Sequence, residues 1–279
     1  MLTSNRGIWG RVRWWIHMFV GLVCSAMAGD EAIPNSADGE RAEALNELIR
    51  AVVRIEAVRL RPDQGRLQKS RVGGSGAIIS AQGHVITNYH VADDADFYQC
   101  YFTDGTKVEA RLVGEDALTD LAVLQLDLSQ RPDRSELAVA RFGDSSRVAI
   151  GDVVYALGSP ASFSQSITRG VVSNTALVLP DTIRMILDGE NVGETVRWIL
   201  HDASIFGGNS GGPLVNERGE IIGINEISVA NLGGAIPGNL ARAVADELIA
   251  HGRVTRGWSG LGRADAGRRW GWQGTAARS

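Results

Sequence analysis

The segment Gly207–Leu214, with the sequence GGNSGGPL, constrains this chain more than any other feature. Glycines stand before and after Ser210, and glycine permits the sharp turn that presents a serine hydroxyl and its neighbouring amides. The amides of Gly208 and Ser210, with Asn209 between them, are predicted to form an oxyanion hole, which stabilises negative charge on a reacting oxygen. The alternative is a glycine-rich hairpin with an incidental serine, in a chain that contains 34 glycines.

A histidine and an acid upstream of Ser210 favour the first interpretation. His90 ends the second of two β-rich runs, and Asp120 directly precedes the apolar run Leu121–Leu124, beside which its carboxylate can be buried. A serine hydroxyl is a weak nucleophile, so His90 would take its proton and Asp120 would orient and stabilise the imidazolium. The chain order His, Asp, Ser is that of the chymotrypsin arrangement.

Several segments together resemble the HtrA (Deg) family of trypsin-fold serine proteases, from about Val52 to Trp258. The matching stretches are Gly74–Ile79, Thr87–Val91, Thr119–Ala122, Gly208–Pro213, Gly219–Asn225 and Ala235–Pro237. Several motifs in the right order are far more specific than any one of them. The resemblance implies an all-β fold of two six-stranded antiparallel β-barrels of the chymotrypsin/trypsin type, with a short C-terminal helix and the active site between the barrels.

The first 28 residues predict a secretory signal peptide. Arginines at 6, 11 and 13 precede the apolar stretch Trp14–Val23, and Ala26-Met27-Ala28 offers a small-x-small cleavage site. The alternative is an uncleaved membrane anchor. We therefore expect an exported protein, in the bacterial periplasm by resemblance, which contacts the membrane only if this segment is retained.

The rest of the chain is long enough for one all-β domain of about 200 residues with a segment at each end. The predicted divisions are an N-terminal segment over 29–51, a protease domain over 52–252, barrel one at about 52–126, barrel two at about 147–237, a closing helix over 239–251, and a disordered tail over 253–279. The tail stops before the PDZ domain that family members commonly carry.

Four local features carry further predictions. Periodic apolar residues predict a helix within Ala42–Val53, and the charged stretch Arg59–Gly74 predicts a surface loop. Asn239 is expected to cap the closing helix, which ends at Gly252. The segment Asn174–Glu194 is either an extra helix packed on the barrel or a loop that senses substrate or a neighbouring subunit.

Composition excludes several other classes of protein. The formal net charge of −4 argues against a general nucleic-acid binder. No Cys, His or Asp spacing resembles a metal site and there is no phosphate-binding loop, so we expect neither metal nor cofactor. Cys100 is the one cysteine after the predicted signal peptide, and we expect it to be a packed core thiol.

The candidate substrate pocket is formed by Ser204, Ile205, Asn225 and Gly234. Ser204 stands six residues before the nucleophile, where trypsin-like folds place the base of the primary pocket. Because no acid occupies that position, a preference for Lys or Arg is not expected. The resemblance implies cleavage after small or medium aliphatic residues, and Gly234 stands where the family commonly carries Phe.

Two features near the nucleophile bear on activation. An amide at Asn209 cannot pair with a newly cut N-terminal ammonium as the Asp of activated zymogens does, so activation by propeptide cleavage is not expected. Phe206-Gly207 replaces the usual Asn-Pro of the family, and loss of proline with gain of glycine predicts a more flexible loop. The oxyanion hole is then expected to be malformed at rest.

These observations predict an exported serine endopeptidase for protein quality control, acting through an acyl-enzyme on unfolded or damaged polypeptides. The resemblance implies a homotrimer. The alternative from another class is a resting or inactive chaperone-like scaffold that binds polypeptides.

Overall fold

The computed structural model describes residues 36–63, 65–131, 136–159, 165–179, 185–229 and 231–256. The predicted signal peptide, and residues 257–279 of the predicted tail, lie outside these ranges. The chain divides into an N-terminal unit that ends at Glu47 and a second unit that begins at Leu48. No helix in the described ranges has both the length and the apolar character to cross a bilayer.

The first helix, α1, spans Ser36–Arg50 and contains most of the helical pattern predicted within Ala42–Val53. Val52 and Val53 start the first strand, where they pair with Ala77 and Gly76. Valine is branched at Cβ, which favours the extended conformation over a helix.

The first barrel is a closed ring of six antiparallel strands in the order β1-β2-β3-β6-β5-β4. Its strands are β1 (Val52–Asp63), β2 (Arg66–Ile78), β3 (His84–Thr87), β4 (Phe97–Tyr101), β5 (Lys107–Asp116) and β6 (Leu121–Leu126). A one-turn helix, α2 (Tyr89–Ala92), follows β3, and a 3₁₀ turn (Leu128–Gln130) follows β6. Strand β4 alternates inward and outward side chains, which places Tyr98 and Cys100 in the barrel core.

The predicted surface loop Arg59–Gly74 is wrong. Strands β1 and β2 pair without interruption from Val52 opposite Ala77 to Asp63 opposite Arg66, and the chain reverses at Gly65 with φ +77°. The outer half of β2 is exposed, so its sequence lacks the apolar alternation that predicts a strand. Main-chain hydrogen bonds to the neighbouring strand hold it extended instead.

The second barrel is also a closed six-stranded antiparallel ring, in the order β13-β8-β9-β12-β15-β14 and back to β13. Its strands are β8 (Val153–Gly158), β9 (Ser166–Leu177), β12 (Trp198–His201), β13 (Pro213–Val215), β14 (Glu220–Val229) and β15 (Leu232–Pro237). Strand β7 (Arg141–Phe142), followed by a 3₁₀ turn (Ser145–Arg147), adds to β14 in parallel outside the ring. The two barrels confirm the predicted fold class.

The segment Asn174–Glu194 contains no long extra helix in its described part. Strand β9 continues through it to Leu177. A small hairpin of β10 (Ile186–Leu187) and β11 (Glu190–Asn191) leads into the one-turn helix α3 (Val192–Thr195).

The closing helix, α4, spans Gly238–His251, and the predicted capping role of Asn239 is wrong. Pro237 occupies the N-cap position and offers no side-chain cap. The side chain of Asn239 instead binds the 3₁₀ turn: its Oδ1 accepts from the Ser145 amide at 3.1 Å, and its Nδ2 donates to Asp144 at 2.8 Å. Gly252 ends the helix in the left-handed conformation, as predicted.

Candidate active site

His90 and Asp120 are joined by two hydrogen bonds within the first barrel. His90 lies in α2, three residues after the end of β3, and its Nδ1 is 2.7 Å from Oδ2 of Asp120. The main-chain N–H of His90 also donates to Oδ1 of Asp120 at 2.9 Å. The Asp120 side chain is fully buried, whereas the His90 side chain is one-third exposed. The carboxylate therefore places the proton of the neutral ring on Nδ1 and leaves Nε2 as an acceptor.

Asp120 has a main-chain conformation that is uncommon for a residue with a side chain. Its φ is +53°, in the left-handed region that favours glycine. Its amide donates to the Ala117 carbonyl at 3.3 Å, and its carbonyl accepts from the Asn88 side chain at 2.9 Å. Such conformations persist where the surroundings over-determine them, and they cluster at active sites.

The turn that carries Asp120 is also held by Asp116. Arg256, after the end of α4, donates from both terminal nitrogens to the two carboxylate oxygens of Asp116, each at 2.5 Å. The hydroxyl of Thr119 donates to the same carboxylate. Asp116 and Thr119 are both buried, so this cluster fixes the turn immediately before Asp120.

Ser210 lies in a tight turn between the second barrel's β12 and β13. Gly208 has φ +105°, and the amide of Asn209 donates to the Phe206 carbonyl at 3.0 Å. The amide of Gly212 donates to the Asn209 carbonyl at 2.9 Å. Within the part of the chain that the structure describes, the amides of Gly208 and Ser210 donate to no acceptor, as an oxyanion hole requires.

The glycines after Ser210 are required by close approach of other main-chain atoms. At Gly211, where φ is +83°, a Cβ atom would lie 2.2 Å from the Ser75 carbonyl oxygen. At Gly212 it would lie 2.1 Å from the carbonyl oxygen of Leu157. Neither oxygen can move without breaking the strand it belongs to, so no side chain fits at either position.

Ser75 of the first barrel is a site residue that the sequence interpretation missed. It is fully buried, its amide donates to the Ser210 carbonyl at 2.8 Å, and its hydroxyl donates to the Gly208 carbonyl at 2.6 Å. The same hydroxyl accepts from the Ser159 amide at 2.9 Å. The available signal was a small polar residue between Gly74 and Gly76, two glycines against which other residues of the barrel pack closely.

The hydroxyl of Ser210 donates to the main-chain carbonyl of Glu226 at 3.2 Å rather than to His90. In serine-dependent enzymes the hydrogen bond between nucleophile and base often forms fully only when substrate binds.

Glu226 is the second site residue that the sequence interpretation missed. It lies in β14, its side chain is buried, and its carboxyl faces that of Asp120. Burial, together with the negative charge of Asp120, raises the pKa of Glu226 well above its usual range. The signal was an acidic residue within a strand that is otherwise apolar from Ile221 to Ile227, apart from Asn225.

The candidate pocket residues have different environments. Ser204 is exposed and its carbonyl accepts from the Thr168 hydroxyl at 2.8 Å, whereas Ile205 packs in the core of the second barrel. Gly234 is buried, and a Cβ there would lie 2.8 Å from Cγ1 of Ile227.

Asn225 is fully buried and makes its side-chain hydrogen bonds inside the second barrel. Its Nδ2 donates to the Pro213 carbonyl at 3.1 Å, and its Oδ1 lies 3.2 Å from Nε2 of His201. Its main-chain carbonyl accepts from the Gly211 amide at 2.9 Å, next to Ser210. His201 is a buried strand residue, and burial lowers the pKa of its ring to about 4.

Cys100 lies in the core of the first barrel, where burial raises the pKa of its thiol to about 12. It is a packed thiol, as predicted. In the described ranges, no group of His, Cys, Asp and Glu side chains is arranged to hold a metal ion.

Comparison with known proteins shows which family this chain belongs to. Residues 74–224 match the model of a trypsin-like peptidase domain. A "Probable periplasmic serine endoprotease DegP-like" of Pseudomonas savastanoi pv. phaseolicola is 38% identical over 202 residues, which are 70% of this chain and 39% of that protein. The protein of the same name in Brucella suis biovar 1 is 38% identical over 211 residues, which are 71% of this chain and 38% of that protein. This chain thus spans about two fifths of the length of these relatives.

Among solved structures, an HtrA-type protease, AlgW, with a tripeptide superimposes with a TM-score of 0.64 at 35% identity, over 78% of this chain and 66% of that chain. Two closed barrels, the order of His90, Asp120 and Ser210, and these sequence matches lead to one conclusion. The chain belongs to the trypsin-like peptidases, and among them it is similar to DegP-like and HtrA-type proteases.

Proposed function

We propose that this chain is a serine endopeptidase in which His90, Asp120 and Ser210 form the catalytic triad. The observation that carries the proposal is the pair of hydrogen bonds by which Asp120 holds both the ring and the main chain of His90. Ser210 belongs to the same cluster, since its hydroxyl and the Asp120 carboxyl both contact Glu226.

The proposed mechanism begins with attack of the Ser210 hydroxyl oxygen on the scissile carbonyl carbon. Nε2 of His90 takes the hydroxyl proton, and Asp120 stabilises the imidazolium that results. The proton then passes to the leaving amine as the peptide bond breaks, which leaves an acyl-enzyme on Ser210. A water molecule, deprotonated by His90, hydrolyses the ester and restores the serine.

The amides of Gly208 and Ser210 would stabilise the oxyanion of each tetrahedral intermediate. One such donor contributes about 10²–10³ in rate. Both amides lack an internal acceptor among the described residues, and the positive φ of Gly208 is accessible to glycine at no steric cost. Phe206 is exposed and a Cβ at Gly207 would meet no atom within 4 Å, so the preceding part of the loop has room to rearrange.

Unfolded or damaged polypeptides in the bacterial periplasm are the proposed substrates, with cleavage after aliphatic residues. The names of the relatives support the compartment and the endoprotease class, and the bound tripeptide of AlgW supports a peptide ligand. The homotrimer implied by the resemblance is part of the same proposal.

A second candidate function is that of a resting scaffold that binds polypeptides without cutting them. The observation that favours it is the hydrogen bond of the Ser210 hydroxyl to the Glu226 carbonyl, which takes the place of the bond to His90. A nucleophile held in that position is not activated by its base.

Labelling with a fluorophosphonate, followed by intact-mass measurement, separates these two functions. We expect one adduct on the purified chain and none on Ser210→Ala, together with cleavage of an unfolded protein by the wild type alone. If the wild type carries no adduct even with an unfolded protein or an aliphatic peptide present, the scaffold function replaces the endopeptidase.

A further inference from the structure

Glu226 is an acidic residue buried in the protein interior, where an ionised side chain is energetically unfavourable. The residue is 6% exposed, and neither carboxyl oxygen accepts a hydrogen bond from any donor in the described ranges. The carboxyl of Asp120 faces it within hydrogen-bond range. A buried carboxylate without donors and beside a second carboxylate is strongly disfavoured, so one of the two groups keeps a proton.

The contacts of Asp120 decide which group carries that proton. Both oxygens of Asp120 already accept hydrogen bonds, one from the main chain of His90 and one from its ring. Asp120 therefore already serves as an acceptor for both donors of His90. Glu226 has no comparable donor to stabilise an ionised carboxylate in the described ranges, so the proton of the pair belongs on Glu226.

We propose that Glu226 is a positioning residue of the site, whose neutral carboxyl donates a hydrogen bond to the Asp120 carboxylate and holds that carboxylate against His90. This inference rests on the proposed function, because it assigns a task within the triad. An ionised carboxylate has about four acceptor sites, so a third donor is accommodated beside the two from His90. This third hydrogen bond fixes the plane of the Asp120 carboxylate, and thereby the orientation of the His90 imidazole.

Three observations separate this role from substrate selection. Both oxygens of Glu226 are fully buried, so a basic side chain of a substrate cannot reach them. The charged and titratable groups that face Glu226 are Asp120 and, through it, His90. The contact of Glu226 with Ser210 uses the main-chain carbonyl, which side-chain substitution leaves in place.

The test compares two substitutions of similar size in the full chain. Glu226→Gln supplies an amide donor that does not ionise, and Glu226→Met supplies no donor. We expect Glu226→Met to lower kcat about 10- to 100-fold with KM little changed, which is the effect of losing one hydrogen bond to a charged group. Glu226→Gln is expected to restore most of that loss. Glu115→Met is the matched control, since that half-buried carboxyl faces Asp93 and Asp188 rather than Asp120.

A second readout does not need turnover. The Nδ1–H proton of His90 gives a downfield NMR signal while it donates to Asp120, and this signal should persist in Glu226→Gln and shift or broaden in Glu226→Met. If Glu226→Met does not fold, Glu226→Leu replaces it. A wild type that lacks activity but shows the signal contradicts the proposed function and not this inference.

Three results would overturn the role of Glu226. They are wild-type kcat and an unchanged signal in Glu226→Met, equal loss in the Gln and Met variants, and a change confined to KM.

Discussion

The hydroxyl of Ser75 in the first barrel donates to the carbonyl of Gly208 in the second, at 2.6 Å. The contact joins residues 133 positions apart and fixes a peptide plane in the loop that presents Ser210. A buried serine of the first barrel therefore holds the loop that carries Ser210 of the proposed triad.

Ser75→Ala should slow fluorophosphonate labelling about 10-fold and lower the free energy of unfolding by about 1–3 kcal/mol. The substitution leaves the Gly208 carbonyl and the Ser159 amide without their partner. Labelling rates and urea denaturation measure the two effects. Ser159→Ala is the control, because the Ser159 hydroxyl makes no hydrogen bond in the described ranges. Equal behaviour of the two variants would contradict a specific role for Ser75.

Gly212→Ala should lower the free energy of unfolding by about 3 kcal/mol or more, because the new Cβ would overlap the Leu157 carbonyl oxygen. Gly207→Ala has open space around it and should keep the wild-type melting temperature. Thermal unfolding followed by circular dichroism compares them. A Gly212→Ala protein as stable as Gly207→Ala would show that the turn has a different path.

Arg256→Gln should destabilise the fold by about 2 kcal/mol, because it leaves the buried Asp116 carboxylate without its bidentate partner. Labelling of Ser210 should also slow, since Asp116 and Thr119 hold the turn before Asp120. Arg218→Gln, which breaks an exposed ion pair with Glu220, should change the free energy of unfolding by less than about 1 kcal/mol. Chemical denaturation of both variants measures the difference, and similar losses would refute the cluster's structural role.

His201 should make the protein less stable in mild acid. Burial lowers the pKa of its ring from 6.5 to about 4, so the unfolded chain binds a proton at a higher pH than the native state does. As the pH falls from 6.5 to 4, protonation therefore favours unfolding, by about 3 kcal/mol in total. Below pH 4 the native state is protonated as well and this contribution stays constant.

Urea denaturation between pH 7 and pH 4 checks this effect by comparing the wild type with His201→Gln. The variant should lose about 3 kcal/mol less over this interval. His251→Gln alters an exposed histidine at the end of α4 and should lose as much free energy of unfolding between pH 7 and pH 4 as the wild type. If His201→Gln also loses as much as the wild type, the buried ring is not the group that titrates.

Part of the fold was predictable because its signals are local. Apolar runs bounded by turn residues identified strands such as Leu121–Leu126, and Gly252 marked the end of α4. The candidate triad of His90, Asp120 and Ser210 was predicted from residue types and chain order. The outer part of strand Arg66–Ile78 was missed because it is polar and exposed. Asn239 was misassigned because its partners Asp144 and Ser145 lie far back in the chain.

Most strands, the family and the candidate triad of this protein were predictable from its sequence. Three contacts became visible only in the folded chain: Ser75 holds the loop of Ser210, Arg256 binds Asp116, and the carboxyl of Glu226 lies beside that of Asp120. Glycine turns and apolar alternation act over a few residues and can be recognised in any window of sequence. A buried hydrogen bond depends on which distant groups the closed barrels bring together, and burial then sets how strongly each group holds its proton.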